Sequence, residues 1–516
     1  MDFIFILCAI LCVVCTSLAC LKNLHIFQLN TYRAVEQGKW IKKNYSKLTF
    51  HFVGLIFAAI VCLLHNTVGY ILLAALMLIS LPLCMPLKKA KKPIVYTSRM
   101  KRLIETSAVV EIAVVVLSCF VPAPYNYMCL ALLFGFAPIL PIISNIINMP
   151  AEKAVRQYYI NDAKKMLAQC PNLVVIGITG SYGKTSVKYY LNSLLKTKYN
   201  VLMTPESFNT PMGVVKTIRE QLRPTHEIFI CEMGAKRVGE IKELCDIVHP
   251  THGILTAVGE QHLETFKSIE NIIKTKFELA DAVADKGVIF LNGDNSYIRD
   301  NLPDQKYFTY GISDVNDYHA ENLSVSQSGT EFTFLGDGET IDGLHTRLIG
   351  EHNVVNLAGA IAMAKFLGVP DNQIRIQLNK LTPPPHRLQL SQNGGVTIID
   401  DAYNSNPSGS KAALNTLALF DGYKVLVTPG MIDLGAKQDE LNRQFGIYAA
   451  EVCDFIILVG EKQAEPIYDG IASTDYDLSK VFVASGIKEA ISKAYSLQTD
   501  KPKIVLLEND LPDNYL

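Results

Sequence analysis

The run Leu173-Val174-Val175-Ile176-Gly177-Ile178, followed by Thr179-Gly180-Ser181-Tyr182-Gly183-Lys184-Thr185-Ser186, constrains this chain more than any other part of its 516 residues. An apolar β-branched run predicts a strand, the glycines predict a tight loop, and the pattern after Lys184 is helical. A strand that delivers such a loop to the carboxyl edge of a sheet gathers backbone N–H groups and a helix N-terminus around one point, which suits phosphate oxygens. In that arrangement Lys184 reaches the β/γ-phosphates of a nucleoside triphosphate and Thr185 ligates Mg²⁺. The spacing departs from Gly-x-x-x-x-Gly-Lys by one residue, because Ile178 holds the first glycine's place and glycines fall at 177 and 180. A chance glycine-rich turn is the bland alternative, and the strand before it and the helix after it speak against it. ATP and Mg²⁺ are the expected cofactors.

Length and composition divide the chain. A protein of this size holds about three or four domains. Its 49% hydrophobic content is high for a soluble enzyme, and the excess lies before Met149. Apolar stretches near Phe3–Leu18, Leu48–Leu64, Val68–Leu87, Ser107–Val121 and Met128–Ile147 approach the roughly 17 to 25 residues of a spanning helix. Residues 1–148 are therefore expected to form a multi-span α-helical membrane domain of about five helices. The loop after the first stretch carries Lys22, Arg33, Lys39, Lys42, Lys43 and Lys47, and the loop after the third carries Lys88, Lys89, Lys91, Lys92, Arg99, Lys101 and Arg102. The other two connections, around 65–67 and 122–126, carry no Lys or Arg. Positive loops stay inside, so the N-terminus is expected outside and everything after Asn148 in the cytoplasm, as a multi-pass protein of the cell membrane. A cleaved signal peptide is the rival for the first stretch, but Met1-Asp2 supplies no basic start.

Eight of the twelve cysteines (Cys8, Cys12, Cys15, Cys20, Cys62, Cys84, Cys119 and Cys129) lie in or beside these stretches, where they serve as small apolar residues. Cys170, Cys231, Cys245 and Cys453 show neither a C-x-x-C pair nor metal-ligand spacing, so neither disulfides nor a structural zinc is indicated. Glu111 is the one acid within the apolar stretches, and it reads either as a substrate contact or as part of an interfacial helix.

From Met149 onward, short apolar strands alternate with amphipathic helices, which predicts α/β architecture with parallel sheets. Strands are expected near Leu173–Ile178, Ile228–Met233, Gly253–Val258, Gly287–Leu291, Val396–Ile399, Lys424–Thr428, Phe455–Val459 and Lys503–Leu507. The stretch Leu381-Thr382-Pro383-Pro384-Pro385-His386-Arg387 reads as a linker. The expected division is a P-loop central domain over 149–384 and a Rossmann-like C-terminal domain over 385–516. Four further stations add chemistry. Cys231-Glu232-Met233-Gly234-Ala235 closes a strand and places Glu232 where a second Mg²⁺ ligand is needed beside Thr185. Gly259-Glu260-Gln261-His262 brings an imidazole to the same edge, Lys274-Thr275-Lys276-Phe277-Glu278 begins a helix, and Gly350-Glu351-His352-Asn353-Val354-Val355-Asn356 opens another. Each alone is unremarkable, since a lone histidine is usually core or surface and a strand-end glutamate a cap.

In their joint order these segments resemble the Mur ligases, ATP-dependent amide-forming enzymes of peptidoglycan precursor synthesis. Thr179–Ser186 is similar to the family P-loop and Asn209-Thr210-Pro211-Met212-Gly213 to its substrate-side loop. Glu232–Ala235 with Gly239-Glu240-Ile241, and Asp400-Asp401-Ala402-Tyr403-Asn404-Ser405-Asn406-Pro407-Ser408, look most like the branch that adds D-alanyl-D-alanine. The resemblance implies that Gly180, Ser181, Gly183, Lys184, Thr185 and Ser186 hold the triphosphate. It implies that Thr185 and Glu232 hold one Mg²⁺, and that His262 and a carbamylated Lys276 hold a second. Asn292, Asp294, His352, Asn353, Asn356, Arg387 and Asp401 correspond to nucleotide-side positions. Asn209, Thr210, Asn404 and Asn406 correspond to substrate contacts. Lys184, Lys276, His262 and Glu232 are the implied catalytic set. Ligation phosphorylates a carboxylate and lets an amine displace phosphate, so fixed cations matter more than a proton-transfer residue.

Two departures stand out. Apolar stretches occupy the place of the family's soluble uridine-nucleotide-binding domain, and Lys236 replaces the asparagine common after Glu-Met-Gly-Ala. The acceptor is then either a polyprenyl-linked cell-wall precursor at the inner leaflet or a free nucleotide-linked peptide, with the apolar part acting only as an anchor or as a dock for other enzymes. A membrane transport or regulatory P-loop ATPase is the reading from a different class. A net charge of −1 gives no support for nucleic acid.

Overall fold

The computed structural model describes residues 3–44, 48–64, 67–85, 93–283, 287–403, 405–432 and 434–510. Asn404 and the basic residues Lys47, Lys88, Lys89, Lys91 and Lys92 lie outside the described residues. The chain divides into two compact units, Met1–Tyr158 and Tyr159–Pro512.

The first unit is helical: Phe3–Leu29, Ala34–Lys43, Thr49–Leu64, Thr67–Cys84, Ser98–Ser118, Tyr125–Phe136 and the start of Leu140–Ala168. Among the described residues, Phe3–Leu29 and Thr67–Cys84 are long and apolar enough to cross a membrane. The pair Tyr125–Phe136 and Leu140–Ala168, bent by 84°, adds a third if it counts as one span. The expectation of about five spans is thus met only in part. Thr49–Leu64 has 16 residues, and Ser98–Ser118 carries Arg99, Lys101, Arg102, Glu105 and Glu111. The first connection contains a short helix whose last turn holds Lys42 and Lys43. Cysteines act as small packing groups: Cys12 and Cys15 are fully buried and their thiols donate to the carbonyls of Leu130 and Met77 at 3.3 and 3.2 Å. Buried Glu111 accepts a hydrogen bond from the Ser17 hydroxyl at 2.7 Å.

The second unit holds two sheets. The first comprises β1 (Val174–Thr179), β2 (Val201–Met203), β3 (Ile228–Glu232), β4 (His252–Leu255), β5 (Ile289–Asn292), β6 (Tyr307–Gly311), β7 (Tyr318–Ser326), β8 (Gly329–Gly336) and β9 (Glu339–Thr346). Their order is β2-β3-β1-β4-β5-β6-β7-β8-β9. The strands through β7 are parallel, as expected, but β7-β8-β9 is an antiparallel meander, so the sheet is mixed. The second sheet comprises β10 (Gln389–Asn393), β11 (Val396–Asp401), β12 (Tyr423–Thr428), β13 (Phe455–Val459), β14 (Val481–Ala484) and β15 (Lys503–Glu508). Its order is β10-β11-β15-β12-β13-β14, with β10 antiparallel to its neighbour.

Position in the first sheet decides where chemistry can occur. β1 lies between β3 and β4, and the register sets Ile178 beside Glu232 and Thr179 beside Leu255. The loop leaving β1 therefore emerges next to the last residue of β3, at a crevice outside the carboxyl ends of parallel strands. Parallel strands covered on both faces must be apolar throughout, and every residue of β3 is buried, Glu232 included.

Candidate active site

Local geometry of the loop after β1 follows from its glycines. Gly180 and Gly183 have φ of +149° and +80°, where side chains are strained. A Cβ at Gly180 would lie 2.1 Å from the Thr256 hydroxyl, and one at Gly183 2.4 Å from Asn356 Oδ1. The loop is tied to the segment following β4. Ser181 N–H donates to the Ala257 carbonyl at 2.6 Å, the Ser181 hydroxyl to the Gly259 carbonyl at 3.1 Å, and the Thr256 hydroxyl to the Tyr182 carbonyl. The Asn292 amide donates to the Thr256 carbonyl at 2.7 Å, joining the end of β5 to the same wall.

Lys184 opens the helix Lys184–Leu195 and folds back over the loop, donating to the Gly180 and Ser181 carbonyls at 2.7 and 2.8 Å. Burial brings its pKa down to about 8, Glu232 opposing and Arg387 adding to the shift. Ser186 is buried in the first turn.

Glu232 is the hub. Its Oε1 accepts from the Thr185 hydroxyl at 3.2 Å and from the Asn209 amide at 3.0 Å, while its Oε2 lies 2.9 Å from the Lys188 ammonium. Burial alone would raise its pKa, but Lys188 and Lys184 hold it below the usual range. Lys188 was not singled out from sequence. It lies one turn after Lys184, fully buried, and also donates to the Glu206 carbonyl. Its signal was its place among Val187, Tyr190 and Leu191 on the buried helix face.

Lys276 lies mid-helix in Ile269–Val283, not at a helix start as expected. It is 3% exposed. Burial, reinforced by the Lys184 charge, puts its pKa well below the ordinary lysine value. His262 precedes the short helix Leu263–Phe266 with φ of +56°. Among the described residues, no group of three His, Cys, Asp or Glu converges on one point.

Helix Glu351–Phe366 brings Asn356 against Gly183. Burial lowers the His352 pKa to about 4. Asn353 is occupied structurally, accepting from the Tyr190 hydroxyl at 2.8 Å and donating to the Ile349 carbonyl at 2.9 Å. Asp294 is likewise engaged, accepting from Ile312 N–H at 2.6 Å, Ser313 N–H at 3.2 Å and the Asn316 amide at 2.9 Å. Thr210 and Asn406 are helix caps, accepting from Gly213 N–H at 3.4 Å and Gly409 N–H at 2.9 Å.

Arg387 reaches back from the second sheet's side. Its guanidinium lies 4.6 Å from the Tyr403 ring centroid and donates to the Thr185 hydroxyl at 3.4 Å. A second tie joins Lys437 to Glu260 at 2.7 Å. Asp401 ends β11 and accepts from Leu388 N–H at 3.2 Å. Burial, with the Glu508 charge beside it, pushes its pKa up to about 8. The assembled groups can hold an anion at the glycine loop and a hard cation between the Thr185 and Glu232 oxygens.

The profile of the Mur ligase middle domain matches residues 178–364, and that of the Mur ligase glutamate ligase domain residues 386–508. Among curated proteins, the chain is 34% identical over 275 residues to the UDP-N-acetylmuramoyl-tripeptide–D-alanyl-D-alanine ligase of Bacillus subtilis, covering 53% of this chain and 59% of the relative. It is 31% identical over 327 residues to that of Escherichia coli, covering 62% and 71%. The chain thus spans little more than half of the first relative. Among solved structures, MurF from Acinetobacter baumannii superposes with a TM-score of 0.63 at 26% identity over 69% of this chain and 77% of that one. MurF from Thermotoga maritima in complex with ADP gives 0.61 at 26% identity over 69% and 80%.

Proposed function

Since the chain belongs to the Mur ligase family, we propose that it joins the carboxylate of a cell-wall precursor to an amine at the expense of ATP, with D-alanyl-D-alanine as the amine. The observation that carries this reading is the cluster of Lys184, Thr185, Lys188 and Glu232 at the loop after β1. A carboxylate oxygen attacks the γ-phosphorus and ADP leaves. The amine then attacks the acyl carbon, the C–O bond to phosphate breaks, and the amine's proton passes to water.

In this reading Lys184 and the N–H groups of the glycine loop and first helical turn other than that of Ser181, which is held by the Ala257 carbonyl, orient the triphosphate. Thr185 and Glu232 fit Mg²⁺, being oxygen donors 3.2 Å apart. Such an ion would supply positive charge to offset that of the phosphate groups. A buried amine of low proton affinity is the form of Lys276 that adds CO₂, and as a carbamate it would join His262 in holding a second ion. Asn292 and Asn356 shape the loop's wall, with Asp294, His352 and Asn353 set around them. Arg387 and Asp401 complete the nucleotide side, while Asn209, Thr210 and Asn406 serve the substrate side; Asn404 lies outside the described residues.

The finer reading of the first 148 residues is a membrane-embedded part with catalytic parts 149–384 and 385–516 on the cytoplasmic face, taking a lipid-linked acceptor. The basic connections and the two long apolar helices support it. Phosphate release by full-length protein, supplied with D-alanyl-D-alanine and either nucleotide-linked or lipid-linked peptide, tests the whole reading. Turnover that needs both substrates and disappears in Lys184→Ala is expected. Turnover indifferent to every acceptor would return the chain to the transport or regulatory ATPases.

A further inference from the structure

The first helical unit gathers basic side chains at one end. The Gln28 side chain donates to the Val95 carbonyl at 2.8 Å and accepts from the Val95 N–H at 2.9 Å, and the Arg99 guanidinium lies 4.3 Å from the Tyr32 ring centroid. The start of helix Ser98–Ser118 is thereby held against the end of helix Phe3–Leu29. The Asn30 amide donates to the Gln37 side chain at 3.1 Å and fixes the short helix Ala34–Lys43 to the same end.

The charge there is one-sided. Residues 33–43 hold Arg33, Lys39, Lys42 and Lys43 against Glu36 alone, which pairs with Lys39 at 3.5 Å, in a chain with 48 Lys and Arg to 49 Asp and Glu. Lys101 adds a further exposed cation, whereas Arg102 is taken up by Glu152 at 2.7 Å. At about 3.6 residues per turn, Val35, Gly38, Lys39, Lys42 and Lys43 fall on one arc of their helix, and all five are exposed. Gln37, on the opposite side, is fully buried. The face turned away from the protein is therefore the basic one.

Apolar surface accompanies it. Val35, Val95 and Tyr96 are 66%, 56% and 54% exposed, and Trp40 flanks the basic arc half-buried. Lysines beside aromatic and aliphatic side chains, at the end of a long apolar helix, suit a headgroup layer: the stems and rings reach the acyl boundary while the ammonium groups stay at the phosphates. An excess of cations gains from a negatively charged bilayer surface and has no comparable attraction to a zwitterionic one.

We propose that helix Ala34–Lys43, with segment 93–101 at the same end, is a docking surface for the headgroups of anionic phospholipids. The inference rests on the membrane-embedded reading of the first unit and goes beyond it. Positive loops decide which side of a bilayer they face, whereas a folded basic face selects among the lipids found there.

Trp40 is the chain's only tryptophan, so its fluorescence reports on this helix. Full-length protein would be reconstituted in phosphatidylcholine vesicles containing increasing fractions of phosphatidylglycerol or phosphatidylcholine brominated near the carbonyl end of the acyl chains. Brominated phosphatidylglycerol is expected to half-quench Trp40 at a mole fraction about tenfold below that of brominated phosphatidylcholine, and high salt should shrink the gap. The variant Lys39→Gln/Lys42→Gln/Lys43→Gln should bring the two midpoints within about twofold of each other. All three side chains are exposed and glutamine keeps the helix propensity of lysine, so the variant should retain its melting temperature. Equal quenching by both lipids in the wild type, or a preference that survives in the variant, would overturn the proposal and leave the membrane reading standing. Quenching by neither lipid would remove that reading and the proposal together.

Discussion

Glu232 and Lys188 are 1% and 0% exposed and lie 2.9 Å apart. Removing one partner of such a pair strands the other charge, whereas replacing both is close to neutral. Lys188→Met should lower unfolding stability by about 3–5 kcal/mol, read as a shift in the urea midpoint. Adding Glu232→Gln should recover most of that loss while ATP turnover stays abolished, and a double variant as unstable as the single one would sink the argument. Lys276 permits a test of a different kind. In ¹³C-bicarbonate the wild type should show a carbamate carbon resonance that Lys276→Arg lacks, because the guanidinium offers no neutral amine; a wild type without the resonance rules the modification out. The P-loop lysine was legible in the sequence because its chemistry requires neighbouring glycines. Lys188 was not, because a lone lysine among apolar residues reads as a solvated one until its partner's strand is placed beside it.

At the scale of elements, the loop between β1 and its helix depends on Gly183. Alanine there must adopt φ of +80° and displace Asn356, at a cost of about 1–2 kcal/mol. Gly183→Ala should therefore weaken nucleotide binding at least tenfold while lowering stability only modestly, as measured by fluorescence titration and denaturation. A second element-level effect arises where β11 and β15 end side by side, their register setting Asp401 against Glu508. The folded Asp401 carboxyl keeps its proton to about pH 8, whereas the unfolded one loses it near pH 3.9. The folded state thus binds more protons across this window, and the group's contribution makes stability fall as pH rises from about 4 to about 8. Asp401→Asn should flatten that fall, and urea midpoints at pH 5 and pH 8 would show it; an unchanged slope would mean that another group carries it. Four apolar strands of each sheet, β1, β3, β4 and β5 in the first and β11, β12, β13 and β15 in the second, could be read from sequence to within a few residues, whereas the short β2, β6 and β14 were not. The β7-β8-β9 meander could not, because Glu321, Asn322, Glu339 and Asp342 interrupt runs that bury only one face. The same limit applies to Asp294, Asn353, Thr210 and Asn406, whose side chains serve turns and caps that only the assembled backbone defines.

At the scale of the molecule, the first unit has a solvation problem of its own. On Phe3–Leu29 one face packs through Cys8, Cys12, Cys15 and Ala19, while Phe3, Ile6, Leu7, Ile10 and Val14 stand exposed at successive helical turns. Thr67–Cys84 leaves Val68, Ile71, Leu72, Leu78, Ile79 and Leu83 exposed in the same way. Contiguous apolar surface on this scale is not left to water by a soluble monomer, and both helices are long enough to cross a bilayer. The sequence made the apolar character plain but not the count. Charges such as Arg99 and Arg102 enter the helix Ser98–Ser118 itself, and a chain can bury an apolar helix against its neighbours as readily as against lipid. Full-length protein expressed in bacteria should sediment with membranes, resist extraction by alkaline carbonate and dissolve only with detergent. Substituting Ile10, Ile71 and Ile79 together by glutamate should release it, since each charge placed in hydrocarbon costs a few kcal/mol. Recovery of the wild type in the carbonate supernatant would show instead that these faces are covered by protein, and would remove the ground for a lipid-linked acceptor.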